Sequence, residues 1–219
     1  MKFTGIENLI FDLDGTLIDS SAGVVESTNY ALSRLGFAPR RAADIKRFIG
    51  SSLDEMFTAF AASPREQLKA FFQERAASAV VSSARPMDQV EETLATLHDS
   101  GYRMAVATTK FLVHTTGIIR KFGWYRYFQA TASGDEVANV KPAPDLVILA
   151  LRRLGASPES TLMIGDTKND ILAARAAGIR VVAVESPFGD DNLRAYKPDH
   201  LLGTISELSA LLDLHTYDQ

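Results

Sequence analysis

The most constraining feature of the sequence is a series of short, nearly continuous apolar runs separated by helical patterns. Runs of this kind are typical of strands in a parallel sheet that helices cover on both faces. Three of the intervening helical patterns end at a glycine, Gly101, Gly155 or Gly178, as helices often do. We therefore predict an α/β fold with a doubly wound parallel sheet. The predicted strands are 8–11, 103–108, 161–165 and 180–185, with a weaker fifth at 128–133.

Residues from about 20 to 84 break this alternation, because they show consecutive helical patterns and no convincing strand. One stretch repeats apolar residues at the spacing of an amphipathic helix, and helix packing is its simplest interpretation. The repeating residues are Leu53, Met56, Phe57 and Phe60. We predict an all-helical domain at 20–84, inserted into an α/β core domain that consists of 1–19 and 85–219. The segments 19–22 and 82–86, which are rich in small residues, are its predicted hinges.

Composition excludes several classes of site and partner. The 219 residues include no cysteine, which excludes a disulfide scaffold, thiolate zinc sites and cysteine nucleophiles. The net charge of −4 is spread evenly, so we expect neither nucleic acid nor an anionic membrane as a partner. No apolar run approaches the roughly 20 residues of a membrane span, and the first residues lack the pattern of a secretion signal. We therefore expect a cytoplasmic protein, either a monomer or a homodimer.

Several polar side chains follow the predicted strands or lie in the loops beside them. They are Asp12, Asp14, Thr108, Lys141, Asp166 and Asp170. Each one alone is also explained as a helix cap, a turn residue or a solvated loop charge. Because ligands of open α/β sheets bind beyond the carboxyl ends of the strands, the six together predict a site. Carboxylates gathered there need a cation, and oxygen ligands without His or Cys suit Mg²⁺ bound next to a phosphate.

Four short motifs, in this order, resemble those of the haloacid dehalogenase superfamily. They are DLDGT at 12–16, Thr108, the isolated Lys141 in KPAP, and GDTKND at 165–170. The resemblance covers nearly the whole chain, and the helical segment lies where many members carry a cap domain. It implies a Rossmann-like core with an inserted helical cap and a Mg²⁺ cofactor. Within the superfamily it points to the phosphoglycolate phosphatase-like subgroup.

The resemblance also implies a role for each motif residue. Asp12 is expected to be the nucleophile that forms an aspartyl phosphate, since a carboxyl group with a pKa of about 3.9 is ionised at neutral pH. Asp14 is expected to protonate the leaving alkoxide and later to take a proton from water. The expected metal ligands are Asp12, the backbone carbonyl of Asp14, and Asp166, with Asp170 in support. The expected phosphate contacts are Gly15, Thr108, Thr109 and Lys141, of which Thr108 and Lys141 also act in catalysis.

The second aspartate separates phosphatases from other members of the superfamily. Dehalogenases lack an acid at the position of Asp14, because a halide leaving group needs no proton. The stretch FIGSSL at 48–53 resembles phosphoglycolate phosphatase-like and pyrophosphatase-like members. Mutases tend to have an arginine soon after the corresponding glycine, whereas Gly50 is followed here by Ser51, Ser52 and Leu53. We therefore expect a phosphatase that acts on a small phosphorylated metabolite, a phosphoglycolate-like phosphomonoester.

Several alternatives stay open. Thr109 stands where phosphoglycolate phosphatase-like members usually carry asparagine, and a threonine hydroxyl has fewer donors than an amide, so the substrate preference is open. A phosphotransferase or phosphomutase, a pyrophosphatase and a nucleotidase use the same motifs. A catalytically idle protein that binds a partner through its helical segment is a further alternative.

Overall fold

The computed structural model describes residues 2–61, 64–189 and 192–214. Within these described ranges, eight strands form two sheets. The strands are β1 (Asn8–Phe11), β2 (Ile18–Asp19), β3 (Arg85–Pro86), β4 (Arg103–Ala107), β5 (Phe128–Ala132), β6 (Thr161–Gly165), β7 (Arg180–Val184) and β8 (His200–Leu202). The large sheet has the order β5-β4-β1-β6-β7-β8, and all its neighbouring strands run parallel. β2 and β3 form a separate antiparallel ribbon.

The five strands predicted from the apolar runs are confirmed, and their bounds agree to within one residue. The sixth strand of the large sheet, β8, was not predicted, because its three residues are too short to stand out as an apolar run. The prediction of a doubly wound parallel sheet is therefore correct, and the sheet has one more edge strand than the sequence indicated.

The chain between β2 and β3 is helical, as predicted. Its helices are α1 (Ser21–Arg34), α2 (Ala42–Lys46), α3 (Leu53–Phe60) and α4 (Arg65–Ser83), of which the five-residue α2 was not predicted. In the predicted apolar stripe, Met56 and Phe57 are buried, and Phe57 meets Phe72 of α4 edge to face with ring centroids 6.2 Å apart. Among the described residues, no helix combines the length and the hydropathy that crossing a bilayer requires.

Helices cover both faces of the large sheet, which explains why β1 is buried throughout and apolar from Leu9 to Phe11. Leu9 and Phe11 belong to one buried cluster and Ile10 to another, because successive side chains of a strand point to opposite faces. The helices after the insert are α5 (Val90–Asp99), α6 (Leu112–Lys121), α7 (Asp145–Leu154), α8 (Lys168–Ala176) and α9 (Leu208–Leu211). Residues of α5, α6 and α9 contribute to the first cluster, and residues of α7 and α8 contribute to the second.

The two ends of the helical insert lie side by side. The antiparallel pairing of β2 with β3 brings the outgoing and returning chain together. The ammonium group of Lys121 in α6 donates hydrogen bonds of 2.8–3.0 Å to three backbone carbonyl oxygens at the end of α4, those of Val81, Ser82 and Ala84. The division into a core domain and a cap domain, and the hinges at the two junctions, stay predictions.

We expect Leu162→Ala to destabilise the protein far more than Leu172→Ala. Leu162 in β6 is fully buried, whereas Leu172 in α8 is 39% exposed. The buried truncation leaves a cavity and is expected to cost about 2–5 kcal/mol, and the exposed one less than about 1 kcal/mol. Urea unfolding followed by the fluorescence of Trp124, the single tryptophan, measures both changes. Equal losses of stability would contradict this account of the core.

Candidate active site

The carboxyl ends of β1, β4 and β6 bring the predicted site residues together. Asp12 follows β1, Thr108 follows β4 and Asp166 follows β6, and these three strands are adjacent in the sheet. Lys141 reaches the same point from the loop before α7, where its Nζ donates a hydrogen bond of 3.1 Å to the carbonyl oxygen of Ala107. In the sheet, β4 and β5 lie to one side of β1, and β6, β7 and β8 lie to the other. The point where the strand order changes direction in this way is the usual place for a ligand site in such folds.

The Lys141 ammonium group lies between two carboxylates at the centre of the site. Its Nζ is 2.5 Å from Asp12 Oδ1 and 2.6 Å from Asp170 Oδ1. All three side chains are at most 2% exposed. Burial alone would lower the pKa of Lys141, but the charges of Asp12 and Asp170 raise it above its ordinary value. Lys141 is therefore a permanent positive charge beside the predicted nucleophile.

Asp12, Asp166 and Asp170 form a group of buried carboxylates that fits a hard cation. One oxygen from each lies within 4.8 Å of the other two. Burial, and after it the charges of Asp12 and Asp170, raises the pKa of Asp166 well above its ordinary value. Burial raises the pKa of Asp12 to about 7, against the opposing effect of Lys141. Asp12 Oδ2 has no hydrogen-bond partner among the described residues. A divalent cation would relieve the repulsion among the three carboxylates, and a set of ligands that are all oxygens suits Mg²⁺.

Two hydroxyl groups and a glycine fix the position of Asp166. The hydroxyl of Thr16 donates to Asp166 Oδ1 at 3.0 Å, and the hydroxyl of Ser186 donates to Oδ2 at 2.6 Å. Gly15 has a φ of +86°, and a Cβ added there would lie 2.1 Å from Asp166 Oδ2. Only glycine therefore lets the loop after β1 approach Asp166 this closely. The predicted contact of Gly15 with a phosphate stays a prediction, and Ser186 carried no signal in the sequence.

Asp170 belongs both to the site and to the start of α8. Its Oδ2 accepts hydrogen bonds from the backbone nitrogen and the hydroxyl of Thr167, at 3.0 and 2.7 Å, in a capping box. Its Oδ1 is the atom that binds Lys141. The sequence alone left open whether Asp170 supports the site or begins a helix, and the structure contains both sets of contacts.

Asp14 has surroundings quite different from those of Asp12. The hydroxyl of Ser20 donates to Asp14 Oδ1 at 2.5 Å, and Lys110 Nζ lies 3.0 Å from Asp14 Oδ2. Lys110 also donates to the Ser20 hydroxyl at 3.3 Å. Neither Ser20 nor Lys110 was predicted as a site residue, although Lys110 directly follows the predicted Thr108 and Thr109 in the sequence. Only the folded chain shows that Lys110 turns back to Asp14.

Thr108 and Thr109 differ in their environment. Thr108 is buried, and its hydroxyl oxygen accepts a hydrogen bond of 3.2 Å from the backbone nitrogen of Lys110. Thr109 is half-buried and lines a cavity of about 340 Å³ that extends from Asp14. This cavity lies between the helical insert and the loops after β4 and β5, and its volume is that of a small-molecule site. A ligand in it would lie next to Asp14.

Comparison with known proteins assigns the family. A sequence model described as haloacid dehalogenase-like hydrolase matches residues 9–184. The chain belongs to the haloacid dehalogenase-like hydrolase family. This hydrolase is 36% identical over 212 residues to a protein of Dickeya dadantii (strain 3937) named "Probable phosphatase IndB", and the match covers 91% of this chain and 90% of that protein.

Two further relatives agree with this family. A protein of Mesorhizobium japonicum named "Phosphoglycolate phosphatase" is 31% identical over 212 residues, with 93% of both chains covered. The solved structure of a haloacid dehalogenase-like family hydrolase from Streptococcus pneumoniae superposes with a TM-score of 0.86 at 28% identity. That superposition covers 95% of this chain and 99% of the other. The family and the fold that the four motifs predicted for this hydrolase are therefore confirmed.

We expect Mg²⁺ to raise the melting temperature of the wild type but not that of Asp166→Asn. A ligand at about a hundred times its Kd stabilises a folded protein by about 2.7 kcal/mol. At neutral pH without metal, Asp166→Asn should be at least as stable as the wild type, because the pKa of Asp166 is raised and its ionised form opposes folding. Thermal unfolding with Mg²⁺ or EDTA measures both effects, with the exposed Asp88→Asn as control. An equal response of all three proteins to Mg²⁺ would contradict the assignment.

Proposed function

We propose that this hydrolase is a Mg²⁺-dependent phosphatase, and that it hydrolyses a small phosphomonoester through an aspartyl phosphate on Asp12. The proposal rests mainly on the environment of Asp12, where one oxygen is bound to Lys141 and the other has no partner among the described residues. An unpartnered carboxylate oxygen beside a fixed ammonium group is suited to attack an electrophile that is itself anionic. The Dickeya dadantii relative is named a probable phosphatase, which supports the same reaction class.

In the first step, an oxygen of Asp12 forms a bond to phosphorus and the bond from phosphorus to the leaving alkoxide breaks. Lys141 offsets the negative charge that gathers on the nucleophile and the phosphoryl oxygens. Thr108 and the loop at Gly15 are the proposed contacts of the phosphoryl group, with Thr109 at the wall of the cavity. Asp12, Asp166 and the backbone carbonyl of Asp14 would hold Mg²⁺, which would supply further positive charge next to the phosphate.

Asp14 supplies the proton that the leaving alkoxide needs and then takes one from the attacking water. It is well placed for this role, because it lies at the boundary between the buried carboxylates and the cavity. In the second step, the oxygen of this water forms a bond to phosphorus, the bond between Asp12 and phosphorus breaks, and inorganic phosphate and the ionised Asp12 result. Ser20 and Lys110 hold both oxygens of Asp14 in the present conformation, so we propose that they position its carboxylate.

The proposed substrate is a small phosphorylated metabolite, and phosphoglycolate is the first candidate because one relative is named for it. Phosphotransferase, phosphomutase, pyrophosphatase and nucleotidase activities, or a binding role without catalysis, remain the alternatives from the sequence. A cytoplasmic location, a monomeric or homodimeric state, and the absence of nucleic-acid and membrane partners likewise stay predictions.

We expect Asp12→Asn to reduce phosphate release by at least about a thousandfold, because the amide is a far weaker nucleophile than the carboxylate. The measurement is phosphate release from phosphoglycolate, pyrophosphate, sugar phosphates and nucleoside monophosphates, with Mg²⁺ or with EDTA. Asp88→Asn makes the same chemical change at an exposed position and should keep full activity. Turnover that Asp12→Asn leaves intact would exclude Asp12 as the nucleophile, and no turnover on any substrate would favour the binding role.

A further inference from the structure

The cavity beside Asp14 has a largely apolar wall. The helical insert contributes apolar side chains from α1, α3, α4 and the segment before α3, and the core contributes others from the loops after β4 and β5. Among these residues are Val24, Phe48, Met56, Phe72, Phe111 and Val137. Because Asp14 lies at one end of this space, the part of the substrate that leaves after phosphoryl transfer would occupy it.

The positive charges that line the cavity are already paired with carboxylates. Among the described residues, the positively charged side chains in its wall are those of Lys69 and Lys110. Lys110 Nζ is 3.0 Å from Asp14 Oδ2, and the Lys110 side chain is only 7% exposed. Lys69 Nζ is 3.0 Å from Asp54 Oδ1 and 2.7 Å from Glu66 Oε1. The wall therefore offers little positive charge to a second anionic group.

The histidine in the wall does not change this balance. His114 is 3% exposed, and its Nε2 is 2.8 Å from Gln73 Oε1 of α4. Burial, and next the charge of Lys110, lowers the pKa of His114 to about 4, so the ring is neutral at neutral pH. With the Gln73 oxygen as acceptor, the hydrogen is assigned to Nε2. His114 and Gln73 together thus add a neutral, polar part to the wall, and no further positive charge.

We infer that this cavity selects substrates whose leaving group is uncharged and partly apolar, over those whose leaving group carries a carboxylate or a phosphate. A negative charge placed there would lose its hydration without gaining a free cation, which is costly in an apolar environment. The inference rests on the proposed phosphatase function and narrows its substrate class. It argues against phosphoglycolate, the first candidate from a relative's name, and against pyrophosphate, because both have anionic leaving groups and are therefore predicted to be poor substrates.

The test uses two pairs of substrates that differ only in the charge of the leaving group. The first pair is phosphoglycolate and its uncharged amide, and the second is 4-carboxyphenyl phosphate and 4-carbamoylphenyl phosphate. For the wild type with Mg²⁺, we expect kcat/KM to favour the uncharged member of each pair by about tenfold or more. A preference for the carboxylate in both pairs would overturn the inference.

A charge introduced into the wall should reverse this preference. Gln73→Lys places an ammonium group at the cavity, and Gln73→Met removes the amide at similar length without adding a charge. We expect the ratio of kcat/KM for carboxylate over amide to rise about tenfold in Gln73→Lys relative to Gln73→Met. Because each ratio is taken within one protein, a partial loss of folded enzyme cancels. Equal ratios in the two variants would contradict a selection by charge.

Failure of this inference and failure of the proposed function give different results. If phosphate release requires Asp12 but favours anionic leaving groups, the phosphatase function stands and the substrate class is wrong. If neither these four esters nor the phosphorylated compounds of the earlier panel release phosphate in a way that Asp12→Asn abolishes, the phosphatase function fails, and the substrate class fails with it. The wild-type comparison needs no variant, so the test does not depend on whether the Gln73 variants fold.

Discussion

The arrangement of the site depends on one buried ammonium group, that of Lys141. Parallel strands direct their carboxyl ends to the same edge of the sheet, and this edge collects Asp12, Asp166 and Asp170 within a few ångströms. Burying three carboxylates without positive charge would raise their pKa values until some were neutral. Lys141 bonds two of them directly at 2.5 and 2.6 Å, and removing one partner of such a buried pair typically costs about 3–5 kcal/mol.

The single positive charge of Lys141 does not neutralise the three carboxylates, and these therefore also fit a divalent cation. Among the described residues, the hydrogen-bond partners of the Asp166 carboxylate are the hydroxyls of Thr16 and Ser186, and its pKa is raised by burial and by its neighbours. The same excess of negative charge that makes the metal-free site unfavourable would make metal binding favourable. Stability and metal affinity are therefore coupled through the same three side chains.

The two aspartates of the DLDGT motif lie two residues apart but in different environments. Asp12 lies in the buried network around Lys141, and Asp14 lies at the edge of the cavity with Ser20 and Lys110. One carboxylate is thus suited to act as a charged nucleophile, and the other to exchange protons with a bound molecule. This difference in surroundings supports the separate roles that we propose for the two residues and that the family resemblance implies.

The sequence predicted the parts of the structure that depend on local pattern. The apolar run at β1 indicated a buried strand, because Leu9 and Ile10 are apolar side chains that point to opposite faces of the sheet. The motifs indicated Asp12, Lys141 and Asp166 as site residues. The sequence could not indicate β8, whose three residues pair only in the folded sheet. It also missed Lys110 and Ser186, because their contacts with Asp14 and Asp166 join distant loops and follow no spacing.

The central claim is that Asp12 becomes covalently phosphorylated, and chemical trapping tests it most directly. The enzyme is mixed with its best substrate and Mg²⁺, quenched in acid during turnover, and treated with borohydride, which reduces an acyl phosphate to an alcohol. Peptide mass spectrometry should then find homoserine at position 12 in the wild type, and aspartate there when substrate is omitted. Steady phosphate release with unmodified aspartate at position 12 in every quenched sample would contradict the account.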